Sequence, residues 1–291
     1  MNKSKKADKR SDYTLIFAFL INVLLSIFQI IGGILSGSLS LIADALHNFT
    51  DAITIGLGIF ARIIGRRPAD KIRSFGYKRA EMIAAFINVI SLIIIGFFLI
   101  YEAILRFIEP NIISGKLMII VASIALIVDL ATTIITAYLS KESTNMKVVY
   151  LHNLADSLAS VAVIIGGFFI LKYDMYWIDA FLTLLIALYI LLQSFMLTPD
   201  ILNFFMDGTP KGINIDQIKK KVEEIDLVID MHDIHVWGID EEQNALEAHV
   251  IVEVSELKEV ENLKYQIKGI LDKSFNISHS TLEFEPNLNL K

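Results

Sequence analysis

Long apolar runs alternate with short polar breaks through the first two hundred residues. Six runs are long enough to cross about 30 Å of hydrocarbon as helices. They predict spans at roughly 13–35, 40–64, 80–107, 116–139, 147–171 and 177–198. The sequence therefore predicts a basic tail at 1–12, a six-helix transmembrane domain at 13–206 and a separate water-soluble domain at 207–291.

The segment after Asp207–Pro210 alternates between helical and strand periods. It predicts helices at 214–225 and 256–273 and strands at 229–238, 244–254 and 279–286. This α-β-β-α-β order is typical of a small two-layer, ferredoxin-like α+β domain, for which we expect an antiparallel sheet. A domain of about 80 residues has a modest core, which a dimer contact would extend.

Charge separates the same two parts of the chain. The net charge is −6, of which residues 1–206 contribute +3 and residues 207–291 contribute −9. Mean hydropathy is +0.57, too apolar for an ordinary soluble domain. Lysine and arginine concentrate in the N-terminal tail and in the connections at 62–79 and 140–147. The positive-inside rule therefore places both termini of this integral inner- or plasma-membrane protein in the cytoplasm.

Two of the apolar runs carry the same pair of polar residues, His47 with Asp51 and His152 with Asp156. Positions i and i+4 lie one turn apart on one helix face. Two such helices facing each other would offer two nitrogens and two oxygens, the ligand count and type of a tetrahedral zinc site. Cysteine is absent, so any metal must bind to His, Asp or Glu. The structural alternative is that the pairs join helices through buried hydrogen bonds.

Together these segments resemble the cation diffusion facilitator family of divalent-metal/proton antiporters. The resemblance covers nearly the whole chain and is carried by five stretches: Gly37–His47, Ser74–Glu81, His152–Asp156, His232–Trp237 and His279–Glu285.

The resemblance implies that His47, Asp51, His152 and Asp156 form the transport site. Histidine at the first ligand position is similar to the members that carry zinc, and imidazole suits zinc. We expect Zn²⁺ as the transported substrate, with Cd²⁺, Co²⁺, Ni²⁺ and Fe²⁺ left open. Metal and protons would compete for the same four groups. The expected partners are protons, membrane lipids and a second copy of the chain, and we expect no organic cofactor and no nucleic acid.

Two other classes of protein are compatible with the same residues. One is a membrane zinc sensor that binds metal without transporting it. The other is an intramembrane metalloenzyme, which four protein ligands argue against because catalytic zinc keeps one position open. We therefore expect a transporter and not an enzyme.

Further polar residues lie in the apolar runs. Asp44 is expected to support the ligands, to lie on the ion path, or to act in helix packing or at the outer mouth. Asp129 is expected to relay protons, to line the access path or to be paired inside the bundle. Asn48 and Asn153 are about 100° around the helix from their histidines, so we expect them to bond neighbouring helices. Near the outer ends, the i, i+4 spacing of Glu102 and Arg106 predicts an ion pair. Asp179, beside Trp177, is interpreted as an end anchor.

The connection between the second and third spans departs from some relatives. Those relatives bind an additional zinc there with an aspartate and two histidines, whereas the matching positions here are Asp70, Arg73 and Tyr77. We expect no metal in this loop, because one carboxylate beside a guanidinium is a poor zinc site. Its basic residues are expected to meet anionic lipid headgroups.

Four of the six histidines lie in the soluble tail. The resemblance points to His232, His249 and Glu285 as a cytoplasmic regulatory zinc site near the dimer contact, with His279 available to a second. His232 and His235 are three apart on a predicted strand, so they should project to opposite faces. The alternative is that these histidines are ordinary core or surface groups.

Overall fold

The computed structural model describes residues 2–139, 144–240, 243–254 and 256–287, with side chains from residue 19 onward except at 138–139 and 144–148. The predicted 140–147 connection therefore lies largely outside the described residues. Six long helices come first. Their bounds are α1 Asn2–Ser36, α2 Leu39–Gly65, α3 Ala80–Ile108, α4 Gly115–Leu139, α5 Thr144–Tyr173 and α6 Trp177–Phe205.

Five of these six helices are long and apolar enough to cross a membrane, within the described residues. The apolar segments are Phe19–Ser36, Ala80–Ile108, Gly115–Ala137, Val149–Tyr173 and Trp177–Phe205. The exception is α2, which carries Asp44, Asp51 and Arg62. The prediction of apolar spans is thus confirmed for five helices, and α2 is a helix whose polar side chains require shelter from lipid.

Packing provides that shelter. Leu39 and Ala43 of α2 belong to one buried cluster with residues of α3 and α6. Leu41, on the same helix, belongs to a second cluster with residues of α4 and α5. A Cβ atom at Gly33 of α1 would lie 2.6 Å from Ile42 Cγ1, so glycine is needed for α1 to approach α2 this closely. The N-terminal part of α2, where these residues lie, is therefore inside the bundle.

The chain divides into two compact units. The first contains the residues before Phe60 together with Ile87–Leu197. The second contains Phe60–Phe86 and the chain from Thr198 onward. The C-terminal end of α2 and the N-terminal end of α3 thus belong to the same unit as the tail.

The tail has the predicted order of elements. These are α7 Ile215–Glu223, β1 Val228–Gly238, β2 Asn244–Val252, α8 Leu257–Phe275 and β3 Ile277–Pro286. The strands form one sheet in the order β1-β2-β3. This is one strand fewer than the βαββαβ arrangement of a complete ferredoxin-like fold. Both helices bury an apolar face on the sheet, with Ile218, Ile267 and Leu271 fully buried.

The expectation of a fully antiparallel sheet is wrong for the last strand. β1 pairs antiparallel with β2, but β3 pairs parallel with β2. The connection from β2 to β3 contains α8, and a helical crossover returns the chain to the end of the sheet from which β2 began. The hydrophobic pattern of a strand is the same in either direction, so the pattern does not reveal this difference.

A bulge in β1 shapes the tail site. The register between β1 and β2 shifts between His232 and His235, and Asp233 has a positive φ of 47°. Met231 and Val236 are both buried although they are five positions apart. A regular strand would point them to opposite faces, so the bulge restores Val236 to the core face.

Candidate metal centre

Helices α2 and α5 bring the four predicted transport residues together. His47 and Asp51 lie one turn apart on α2, and His152 and Asp156 lie one turn apart on α5. One ligand atom each from His47, His152 and Asp156 lie within 4.8 Å of one another. Asp51 joins them through His152, because its Oδ2 lies 3.2 Å from His152 Nε2.

The distances between the helices are shorter than those within a helix. His47 Nε2 lies 3.4 Å from Asp156 Oδ1 on the other helix and 3.8 Å from Asp51 Oδ2 on its own. His152 Nε2 lies 3.2 Å from Asp51 Oδ2 and 3.6 Å from Asp156 Oδ2. Ligand atoms about 2.05 Å from a tetrahedral zinc would be separated by about 3.3 Å. The four observed nitrogen–oxygen distances, 3.2 to 3.8 Å, lie on both sides of that value.

His47 is more buried than His152, with 8% of its surface exposed. Its Nε2 faces the two carboxylates without a well-aligned hydrogen bond, and its buried Nδ1 has no hydrogen-bond partner among the described residues. Buried polar atoms are normally paired, so this nitrogen requires an explanation. The ring of Tyr189 from α6 packs edge-on against it, with centroids 5.9 Å apart. A cavity of about 260 Å³ reaches His47, Asp156 and Tyr189 and is otherwise lined mainly by apolar side chains.

The asparagine of the α2 motif bonds a neighbouring helix, as predicted. Asn48 Nδ2 donates to Gln29 Oε1 on α1 at 3.0 Å. Gln29 Nε2 in turn donates to Asp44 Oδ2 at 2.6 Å. All three side chains are buried. Asp44 therefore takes part in a polar network between α1 and α2 and also borders the cavity.

The α5 side has matching contacts with α4. Asn153 Nδ2 donates to Thr136 Oγ1 at 3.3 Å, which confirms the prediction for this asparagine. Ser160 Oγ donates to Asp129 Oδ2 at 2.7 Å, so Asp129 is paired inside the bundle. These contacts fix the rotation of α5 about its axis and so direct His152 and Asp156 toward α2.

The start of α2 is held by a carboxylate from α6. Asp179, which is fully buried, accepts hydrogen bonds from the backbone N–H groups of Leu39 and Ser40 at 2.7 and 3.1 Å. The hydroxyl groups of Ser38 and Ser40 also donate to it, each at 2.6 Å. An anion at a helix N-terminus is favourable because the first N–H groups have no partner within the helix.

The predicted ion pair of Glu102 with Arg106 is wrong. Arg106 Nη1 lies 3.8 Å from Asp179 Oδ2 and donates to the carbonyl oxygen of Gly37. A buried carboxylate offers a guanidinium a stronger interaction than a carboxylate nearer to solvent. Arg106 thus completes the attachment of α6 to the turn between α1 and α2.

The tail residues His232, His249 and Glu285 also form a cluster. His232 on β1 pairs directly with His249 on β2, and their rings stack with centroids 5.3 Å apart. Glu285 Oε1 lies 2.6 Å from His249 Nδ1, and its Oε2 lies 3.5 Å from His232 Nε2. The hydrogen bond between them raises the pKa of His249 and lowers the pKa of Glu285.

The other tail histidines lie away from this cluster. His235 follows the bulge and pairs with Glu247, two positions along β2 from the His249 that pairs with His232. The two histidines therefore lie on the same face of the sheet, and the expectation of opposite faces is wrong because the bulge adds one residue between them. His279 on β3 packs edge-on against the ring of Phe75, with centroids 5.6 Å apart. Neither belongs to a group of potential metal ligands within the described residues.

In the 66–79 loop, the side chain of Asp70 accepts hydrogen bonds from the loop itself. Asp70 accepts hydrogen bonds from the backbone N–H groups of Ile72 and Arg73 at 2.8 and 2.7 Å and from the Tyr77 hydroxyl at 2.7 Å. The Tyr77 hydroxyl and the two N–H groups lower the pKa of Asp70. The Arg73 guanidinium lies 4.7 Å from the Tyr77 ring centroid. Asp70 thus closes a tight turn, and the expectation of no metal in this loop stays a prediction.

The sequence reasoning missed two side chains near the centre. Gln29 is one of two amide side chains, with Asn22, in the apolar stretch of α1, and this polarity was the available signal for it. Tyr189 gave no signal, because tyrosine is common in membrane helices.

These observations define a class of protein: a helical integral membrane protein with a paired His-Asp centre inside its bundle and a soluble α+β tail. Residues 15–200 match the family model for the cation efflux transmembrane domain, and residues 210–287 match that for the cation efflux protein cytoplasmic domain. The chain belongs to this family of transporters, the cation diffusion facilitators.

Several curated relatives are similar over most of their length. The metal cation efflux system protein CzcD of Cupriavidus metallidurans is 33% identical, over 89% of this chain and 82% of its own. A cadmium, cobalt and zinc/H⁺-K⁺ antiporter of Bacillus subtilis is 31% identical, over 98% and 91%. The zinc transporter ZitB of Escherichia coli is 31% identical, over 93% and 86%.

Among solved structures, this chain is similar to the metal-bound C-terminal domain of the C. metallidurans CzcD transporter. The match is 27% identical, covers 25% of this chain and 99% of that one, and has a TM-score of 0.23.

Proposed function

We propose that this protein exports divalent metal cations from the cytoplasm, with Zn²⁺ as the principal substrate, in exchange for protons. His47, Asp51, His152 and Asp156 are the proposed transport ligands. The observation that carries this proposal is the convergence of two nitrogen and two oxygen ligands at nitrogen–oxygen distances of 3.2 to 3.8 Å. The named activities of the CzcD, ZitB and B. subtilis relatives support it.

The ligand chemistry favours zinc and proton exchange. Two imidazoles and two carboxylates suit zinc better than the harder Mg²⁺ or Mn²⁺, although Cd²⁺, Co²⁺, Ni²⁺ and Fe²⁺ remain candidate substrates. Two carboxylates balance the charge of Zn²⁺, so the loaded centre is formally neutral. Metal binding requires deprotonated ligands, and protons arriving from outside would therefore displace the metal.

The proposed transport cycle is alternating access. All six long helices would cross the membrane, with both termini in the cytoplasm. α2 and α5 each supply half of the ligands, so a movement of one helix relative to the other would open the centre on one side at a time. The short distances between the helices are consistent with a closed form of the site.

The tail is proposed to form a homodimer and to bind zinc as a regulatory ligand. The family model matched by residues 210–287 is named for a dimer. Two imidazoles and one carboxylate from His232, His249 and Glu285 suit zinc and leave one position for another ligand. Zinc stoichiometry of the full-length chain tests this proposal. The double variant His232→Ala/His249→Ala should lose one zinc per protomer, and an unchanged stoichiometry would contradict it.

Zinc flux separates transport from sensing. Inverted membrane vesicles containing the protein should accumulate zinc when a proton gradient is imposed, and Asp51→Ala should abolish the accumulation. A sensor would bind zinc in the wild-type vesicles without accumulating it. Binding by the wild-type protein without flux would therefore favour the sensor.

A further inference from the structure

A second cavity lies where the inner end of α2 meets the 66–79 loop and the tail. Its volume is about 770 Å³, within the range of about 300–1,000 Å³ that is typical of ligand pockets. Four basic side chains line it, together with two acidic side chains and the glycine-containing loop. The basic residues are Arg62, Arg66, Arg67 and Lys78, and the acidic ones are Glu81 and Asp240.

The two arginines nearest the end of α2 act from one face. The backbone N–H of Arg66 donates to the carbonyl oxygen of Arg62 at 3.1 Å, so the helical geometry continues past Gly65. Residues four apart in a helix are neighbours on the same side. Arg62 and Arg66 therefore present two guanidinium groups to the same cavity.

The basic side chains do not have equivalent roles. Lys78 Nζ lies 3.5 Å from Asp240 Oδ2 and donates to Gln243, so its charge is used to hold the loop against the tail. Arg62, Arg66 and Arg67 form no ion pair with a carboxylate among the side chains that the structure describes. Among the described residues that line the cavity, four are cationic and two are anionic, a formal excess of two positive charges.

The loop that forms the cavity wall is fixed in advance. Asp70 closes its turn, and Gly76 adopts a positive φ of 78° that other residues rarely adopt. Phe75 is held against His279, and Arg79 Nη2 donates to Asp207 Oδ1 at 2.6 Å. A cavity with fixed walls loses little entropy when a ligand binds.

The geometry points to a binding site for a phosphate-bearing anion, in which Arg62 and Arg66 contact the phosphate oxygens. Guanidinium groups bind phosphate through two parallel charge-assisted hydrogen bonds. A phosphate monoester carries a charge of about −1.5 to −2 and a phosphodiester headgroup carries one negative charge, so the excess positive charge of the cavity attracts either group. The positive-inside rule would by itself account for lysines and arginines on the cytoplasmic side of the membrane. It does not require a walled cavity in which guanidinium groups have no carboxylate partner among the described side chains.

Two sources can supply this chemistry: the headgroup of an anionic phospholipid and free phosphate. Full-length protein is purified in detergent, and bound phosphatidylglycerol is counted by native mass spectrometry, with phosphatidylcholine as the neutral comparison. A parallel arm measures binding of inorganic phosphate by ³¹P NMR. Selective retention of phosphatidylglycerol identifies a lipid site, and saturable binding of inorganic phosphate identifies a soluble ligand. Absence of both would overturn the proposal.

The chain offers a matched control. Arg62→Gln/Arg66→Gln removes two charges from the cavity, and Lys71→Gln/Arg73→Gln removes two charges from the same loop at residues that do not line it. We expect the first variant to lose at least about tenfold in affinity for the bound anion and the second to lose less than about twofold. Equal losses in both variants would show a general surface attraction and would contradict the site.

A third variant tests the geometry without removing charge. Arg62→Lys/Arg66→Lys keeps both cations but cannot form the bidentate contact. We expect about a threefold or greater loss of affinity. Full wild-type affinity would contradict guanidinium recognition. The readout is binding, so these outcomes do not depend on whether the protein transports zinc.

Discussion

Asp51 Oδ2 lies 3.2 Å from His152 Nε2, although 101 residues separate them in the chain. The corresponding contact between His47 and Asp156 is 3.4 Å, and both distances are shorter than those between each histidine and the aspartate on its own helix. The four-residue arrangement is therefore a property of the α2–α5 pair. Separating the two helices would dismantle it, as the proposed alternating access requires.

Removal of one carboxylate tests the ligand set. Asp51→Asn keeps the shape of the side chain but removes the negative charge. We expect the affinity for zinc to fall by at least about 100-fold, since losing even an outer partner of a ligand costs about 10–100-fold. Isothermal titration calorimetry on the full-length protein measures this change.

Asp129→Asn is the control for that measurement. Asp129 is also a buried aspartate of the bundle, but its carboxylate accepts a hydrogen bond from the Ser160 hydroxyl. We expect zinc affinity within about threefold of wild type, because no ligand is removed. A loss equal to that of Asp51→Asn would contradict the assignment of ligands.

Substitution of a histidine tests the choice of metal. His47→Asp replaces a nitrogen ligand with a third carboxylate, which favours harder cations. We expect the ratio of zinc to manganese transport to fall by about tenfold or more. Competition between the two metals in proteoliposomes measures the ratio, and an unchanged ratio would show that His47 does not set selectivity.

Asp179 of α6 stabilises the start of α2, so we expect its removal to lower the stability of the protein. Asp179→Ala leaves the N–H groups at the start of α2 and the Arg106 guanidinium without their partner. Breaking a buried charge contact of this kind costs about 3 kcal/mol or more, so the apparent Tm in detergent should fall by about 5 °C or more. Glu102→Gln is the comparison, and we expect a change of less than about 2 °C. A larger fall in Tm for Glu102→Gln than for Asp179→Ala would instead support an ion pair between Glu102 and Arg106.

The hydrogen bonds of Asp70 should make the stability of the 66–79 loop depend on pH. The Tyr77 hydroxyl and two backbone N–H groups lower the pKa of Asp70, so its contribution to stability is present above the ordinary value of about 3.9. That contribution is lost as the pH falls through the lowered value. Tyr77→Phe should raise the pKa of Asp70 toward the ordinary value. Carboxyl ¹³C NMR of the full-length protein measures the pKa, and an equal or lower pKa in the variant would contradict the contact.

The sequence was most informative where it placed polar groups at high cost. Ionisable side chains in apolar helices are rare, so the His-Asp pairs could be found without a structure. The roles of Asn48 and Asn153 also followed from helical geometry. Their partners, Gln29 and Thr136, could not be predicted, because the rotation of one helix against another depends on packing throughout the bundle.

The errors have similar physical causes. The spacing of Glu102 and Arg106 allowed a pair, but the fully buried Asp179 from another helix is the residue that Arg106 contacts. The alternation of β3 identified a strand but not its direction, which the α8 crossover determines. Local pattern thus predicted the elements and the ligand types. Contacts between distant segments determined the partners.

The central claim is that metal and protons exchange at the centre formed by α2 and α5. Proteoliposomes containing the full-length protein and an internal pH dye measure it most directly, with Zn²⁺, Cd²⁺, Co²⁺, Ni²⁺ and Fe²⁺ added in turn. The account predicts zinc-dependent proton flux, opposite in direction to the zinc and abolished by Asp51→Asn. Zinc transport at full rate without a proton gradient and without proton movement would contradict it.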